Sequence, residues 1–104
     1  MRADTLKGHL DGLVLATLAE GPAHGYAVIE ELKRRSGGAF DLPEGTVYPV
    51  LHRLEAEGLL ASEWSDGTGR KRRVYRLTRR GRSSLHGRRR DWKLFAGAVE
   101  AVLG

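Results

Sequence analysis

The chain has 104 residues, 40% apolar and 30% charged, enough for one hydrophobic core and short enough that a second copy can usefully add to it. It contains no cysteine, which excludes disulfides, thiolate catalysis and cysteine-ligated zinc or iron–sulfur centres. Its net charge of +5 is uneven: residues 1–69 carry six Lys/Arg against eleven Asp/Glu, residues 70–104 carry twelve against two, and Arg70 to Arg90 holds eleven basic residues and no acidic one.

In chain order, the first apolar segment, LKGHLDGLVLATLAEGP, places Leu6, Leu10, Leu13, Val14 and Leu18 at helical spacing and is stopped by Gly21–Pro22. Leu15 and Ala16 add apolar surface on another side, consistent with contact to both a core and a partner chain. A second helix is predicted from about Ala23–His24, with Val28, Ile29 and Leu32 as its core stripe. It ends in Lys33–Arg34–Arg35 before Ser36–Gly37–Gly38, where basic side chains suit the helix dipole and glycine suits the C-cap.

The third helix is predicted over residues 45–57, with Gly58 just past its end. At 100° per residue, Val47, Val50, Leu51 and Leu54 share one face. Gly45, Thr46, Pro49, His52 and Arg53 fall opposite, with Tyr48 at the boundary. Pro49 is expected within the first turn, where amides lack helical partners anyway. This polar, non-packing face suits the DNA major groove, where the N-terminal part of a recognition helix meets base edges. Arg53 would reach guanine or phosphate, Thr46 and Tyr48 phosphate, and His52 either. The structural alternatives are Thr46 as an N-cap, Tyr48 packed on the second helix, and Arg53 paired with Glu57 four residues on.

Two short strands are predicted next, over residues 59–64 and 73–78; the second puts Val74 and Arg76 on one face and Tyr75 and Leu77 on the other. Between them SDGTGRKR reads as a hairpin turn running into a basic stretch. Arg70, Lys71 and Arg72 would lie there to contact phosphates or enter the minor groove. Trp64, at the foot of the hairpin, reads as a packing residue. A last helix follows from about Arg79 to Leu103, with Thr78 as its N-cap.

The predicted fold is mainly α with a small β-hairpin: a winged helix-turn-helix over residues 1–78 and a long C-terminal dimerisation helix over 79–104. Leu85, Trp92 and Val99 are seven apart, and Phe95 and Val102 continue a second seam; these are a and d positions of a heptad, interrupted at Arg88. A two-fold dimer would present its recognition helices about one DNA turn apart, ~34 Å, on an inverted repeat. Trp92 and Phe95 either fill the dimer core or offer stacking faces to a planar effector.

An enzyme is not expected. Histidines 9, 24, 52 and 86 do not pair at metal-ligand spacing, and no nucleophile–base set or phosphate-binding glycine loop is present. No cofactor or metal is expected. With no apolar run near the ~20 residues of a membrane span and no signal-peptide core, the expected location is the cytoplasm, with no membrane partner. The rival function is a winged-helix module for protein or RNA contact without specific operator binding.

The segments LAEGPAHGYAVIEEL, PEGTVYPVLHRLEAEGLL, EW and RRVYRLTRRG, with the late tryptophan, resemble the PadR family of phenolic-acid-responsive bacterial regulators from about Leu6 to Leu103. The resemblance implies a homodimeric regulator, commonly a repressor, that binds a palindromic operator and is released by a small molecule. It implies the short subfamily with a single C-terminal helix. It maps DNA contacts onto Thr46, Tyr48, His52, Arg53 and the wing arginines. It adds Tyr26 as a phosphate contact, against the alternative of a packing aromatic. One departure is that Arg88–Arg89–Arg90 precede Trp92, which fits an anionic ligand, or extra phosphate contact, better than a wide apolar pore; the expected effector is a small aromatic or anionic molecule.

Overall fold

The computed structural model describes residues 6, 8–65 and 71–104. The elements in order are α1 (Leu10–Leu18), β1 (Ala23–His24), α2 (Gly25–Arg35), α3 (Glu44–Ala56), β2 (Leu60–Ser65), β3 (Arg72–Leu77) and α4 (Arg79–Leu103). Three helices, a β-hairpin and a last helix make a winged helix-turn-helix with a C-terminal extension, mainly helical as expected.

The sheet is one strand larger than the predicted hairpin. Its order is β1-β3-β2, with Ala23 opposite Tyr75 and His24 opposite Val74. Two residues carry no readable alternation, so their pairing is set by the hairpin they meet. The predicted start of α2 shifts accordingly. Ala23 and His24 are strand, and the His24 Nδ1 accepts the Ala27 amide at 3.3 Å to cap a helix that begins at Gly25.

The core gathers Val14, Leu15 and Leu18 of α1, Val28, Ile29 and Leu32 of α2, and Val47, Leu51 and Leu54 of α3. Leu60, Tyr75, Leu77 and Leu85 complete it. Every one of these follows its element's period, 3.6 on the helices and 2 on the strands. Burial raises the Tyr75 phenol's pKa, with the Glu55 charge adding to the effect, so this ring packs as a neutral group.

At the end of α3, the Leu59 amide donates to Leu54 at 2.9 Å and the Gly58 amide to Glu55 at 3.0 Å. This is a Schellman closure with Gly58 as its C′ residue. The helix begins at Glu44 after Pro43, one residue earlier than predicted, which changes two expectations. Thr46 is the third helical residue, not the cap. Pro49 lies in the second turn, where its missing N–H leaves the Gly45 carbonyl without a helical donor. Both Gly45 and Pro49 are exposed, so water can take that place.

The start of α4 is tied to the turn after α3. The Thr78 hydroxyl accepts the Gly81 amide at 3.0 Å and donates to the Gly58 carbonyl at 2.7 Å, while the Thr78 amide donates to Leu59 at 3.2 Å. Gly81 and Leu85 are buried. Leu85, expected at a dimer seam, therefore lies in the chain's own core, and the first turns of α4 belong to the winged helix. Past Leu85 the helix runs beside α1, where Arg88 lies along Gly12 and Trp92 meets His9, and from Leu94 on its large apolar side chains are mostly exposed.

Candidate nucleic-acid interface

A cleft of about 660 Å³ opens between the start of α2, the outer face of α3 and the strands of the wing. Tyr26, Tyr48, His52 and Trp64 line it with Lys71, Arg72 and Arg73, and Glu44 stands at its rim. Of the expected contacts, the structure brings together Tyr26, Tyr48, His52, Lys71 and Arg72. Thr46 is exposed on the same helix. Arg70 lies outside the described residues.

Each aromatic has a reason for its place. Tyr26 is 55% exposed and lines the cleft. Tyr48 is half-buried, and its ring covers the start of α2 so closely that a Cβ on Gly25 would lie 2.6 Å from it. Packing on α2 and facing the cleft are thus one arrangement. His52, one turn on, stands edge-on to Tyr48 with ring centres 6.4 Å apart.

Trp64 is the residue that sequence reasoning misses. It is 60% exposed, and Arg73 lies over its ring at 5.1 Å. Trp64 and Arg73 are directly opposed across β2 and β3, on the face that carries Leu60 and Tyr75, beyond the point where helices cover the sheet. The expectation of a packing residue fails because where the cover ends is a tertiary property.

The basic residues are not equivalent. Arg73 is committed inward: its Nε donates to the Ser62 hydroxyl at 2.8 Å, and its Nη2 stands 3.7 Å from Glu55. Lys71 is exposed. Arg72 reaches the His24 Nε2 at 3.0 Å. A neutral imidazole has one acceptor nitrogen, so His24 serves either the α2 cap or Arg72. The pairing is weak by proton count, and it leaves Arg72 available to a phosphate.

Arg53 points elsewhere. Its Nη1 donates to Asp11 of α1 at 3.0 Å and its Nη2 to the second carboxylate oxygen, while Glu57 accepts from Nη1 at 3.2 Å. The Asp11 hydrogen bonds, and then its charge, hold the guanidinium pKa above its already high ordinary value. The Glu57 pairing is the structural alternative named from sequence; Asp11 carries no such local signal, because 42 residues separate it from Arg53.

A second cleft, about 790 Å³, lies between α1 and α4. His9 meets Trp92 edge-on at 5.4 Å, and Trp92 meets Phe95 at 6.1 Å. Leu13, Phe40, Arg88, Arg89 and Asp91 are among its other walls. Trp92 and Phe95 are both more than half exposed, as are Leu94, Val102 and Leu103; Val99 is half-buried. Leu94 and Leu103 fall outside the heptad positions named from sequence, because the helix end is apolar on nearly every side. Among the described residues, no group of three or more His, Asp or Glu could hold a metal ion, and no helix is long and apolar enough to cross a membrane.

With the helix-turn-helix, wing and cleft in place, the chain can be set against known proteins. The profile of the Transcriptional regulator PadR-like family matches residues 14–87. The chain belongs to the PadR-like family of transcriptional regulators. It is 46% identical over 86 residues to Transcriptional regulator Rv3488 of Mycobacterium tuberculosis, covering 83% of this chain and 78% of that one. It is 29% identical over 80 residues to the Negative transcriptional regulator PadR of Bacillus subtilis, covering 76% of this chain and 42% of the longer protein. A PadR family transcriptional regulator from Eggerthella lenta superposes with a TM-score of 0.84 at 36% identity, over 96% of this chain and 86% of that one. A transcriptional regulator from Clostridium thermocellum reaches 0.89 over 98% of this chain and all of that one; at 24% identity it speaks for the fold alone. A PadR-like winged helix with this cleft is a DNA-binding transcriptional regulator.

Proposed function

We propose that this PadR-like regulator is a homodimeric repressor that reads an inverted-repeat operator and is released by a small aromatic or anionic ligand. The observation that carries the reading is the convergence of Tyr26, Tyr48, His52 and Trp64 with Lys71 and Arg72 on one cleft beside the outer face of α3. Thr46 and His52 meet base edges or phosphates from the helix, and Tyr26 and Tyr48 meet phosphates beside it. Lys71 and Arg72, with Arg70, follow the backbone from the wing. Residues 1–78 supply the reading surface. The part of residues 79–104 beyond Leu85 supplies the dimer contact through Trp92, Phe95, Val99 and Val102, with Leu94 and Leu103 extending it.

The dimer reading is supported by the end of α4. From Leu94 to Leu103 the one charged residue is Glu100, and Leu94, Phe95, Val102 and Leu103 are 59–86% exposed. Apolar surface this dense, projecting from a small fold, is stabilised by a second copy. A ligand in the cleft beside His9, Trp92 and Arg88 changes DNA affinity only insofar as it prefers one dimer geometry over another.

The test is the salt dependence of binding. Duplex affinity of the wild type is expected to fall steeply with salt. In K71A/R72A the slope of log K against log salt should flatten by about 0.9 for each phosphate no longer neutralised, with melting temperature unchanged. An unchanged slope removes the wing from the interface; equal binding to duplex RNA moves the function to the interaction-module reading.

A further inference from the structure

Asp11 stands on α1, outside the cleft, yet its carboxylate joins three helices. It takes both prongs of the Arg53 guanidinium from α3. From the other side Arg88 of α4 brings its Nη2 to 3.8 Å of the same carboxylate. Arg88 also lies along Gly12, its Cδ 3.4 Å from where a Cβ would be, and lines the Trp92 cleft. The Asp11 side chain is 21% exposed and that of Arg53 50%. The acid is thus largely covered by its partners, while Arg53 remains within reach of solvent and of any polyanion on α3.

We infer that Asp11 is a positioning residue for DNA binding: it holds the Arg53 guanidinium against α1, away from phosphate, with a strength that Arg88 of the last helix modulates. The inference rests on the DNA-binding reading above. A planar guanidinium satisfied by a two-pronged carboxylate and by Glu57 must give up those bonds to reach a phosphate. Arg88 competes for the same negative charge. When Arg88 is drawn into its own cleft, Asp11 belongs to Arg53 alone and the hold tightens.

The experiment measures binding of purified full-length protein to a random-sequence 24-base-pair duplex across a salt series. D11N is expected to tighten binding about three- to tenfold at low salt, with the slope steeper by about 0.9 for each phosphate that the freed Arg53 neutralises. D41N, which removes an exposed acid in the link between α2 and α3 that pairs with Lys33 at 3.8 Å, controls for net charge. D11E, which keeps the carboxylate, should return affinity toward wild type. In an R53Q background D11N should do no more than D41N. R88Q should weaken binding about two- to threefold in the Asp11 protein and leave D11N unchanged.

A D11N gain that persists with R53Q, or no gain over D41N, overturns the inference. An equal R88Q effect in both backgrounds removes the last helix from it. Absence of duplex binding by the wild type would instead sink the DNA reading, and this inference with it. The two failures are told apart by the Arg53 side-chain ¹⁵N spectrum, which needs no DNA. Hindered rotation should give separate Nη signals in wild type and averaged signals in D11N; averaged signals in both would show that Asp11 does not hold Arg53.

Discussion

Gly81→Ala is expected to cost about 3 kcal/mol, at the upper end for overpacking a tight site, and to lower the melting temperature by more than about 10 °C. The residue is helical, and its left-handed freedom is irrelevant. What matters is the Leu59 carbonyl, which a Cβ would meet at 2.0 Å, with the Leu77 side chain at 3.0 Å. A backbone carbonyl cannot swing aside. The short link between α3 and β2 would have to move, and with it the Thr78 bonds to Gly58 and Leu59 that anchor α4. Gly87→Ala on the same helix is the control. Its Cβ would meet only the tip of Arg90 at 4.0 Å, so the substitution should stabilise by about 0.5–1 kcal/mol through helix propensity. Thermal unfolding of the two variants beside wild type checks both signs.

Gly25→Ala has a different outcome, because the obstacle is different. The new methyl group would lie 2.6–2.9 Å from two ring carbons and the hydroxyl oxygen of Tyr48, the far end of a side chain that can rotate away. Stability should fall by only about 1 kcal/mol, the scale of an off-rotamer side chain. Duplex affinity should fall at least about tenfold, because displaced Tyr48 no longer faces the cleft and obstructs His52 beside it. Tyr48→Ala should lose binding to a similar degree, and G25A/Y48A should be no worse than Y48A alone. That non-additivity is the signature of two residues acting through one contact. Additive losses, or a G25A protein that binds as wild type, would show that the ring's position is unimportant for DNA.

Much of this is legible in the sequence because it depends on local rules. The core stripes of α2 and α3 follow from 3.6-residue spacing, the Gly58 closure from C-cap chemistry, and the faces of Val74, Tyr75, Arg76 and Leu77 from alternation. The rest depends on what comes together in space. The two-residue strand β1 exists because β3 has a free edge beside it. The early start of α3 at Glu44 reflects Pro43 as an extended entry residue, a role that the emphasis on Gly45 and Thr46 conceals.

The site divides the same way. Tyr48, His52 and the wing basics can be found because helix phase and charge place them. Trp64 cannot, since its exposure depends on where the helices stop covering the sheet. Helix phase alone assigns Arg53 to DNA, and its commitment to Asp11 emerges only when α1 and α3 are packed. Leu85 keeps the heptad spacing yet falls to the core, because the first turns of α4 lie over the sheet before the helix runs on beside α1.

The central claim, that this PadR-like regulator reads a specific duplex sequence as a two-fold dimer, is tested most directly by fluorescence anisotropy. Purified protein is titrated against duplexes tiling the DNA upstream of its own gene, at low and moderate salt, with a scrambled duplex as control. The expected result is tight, salt-dependent binding confined to one inverted repeat, at two chains per duplex. Equal affinity for every duplex, or binding to none, would contradict it.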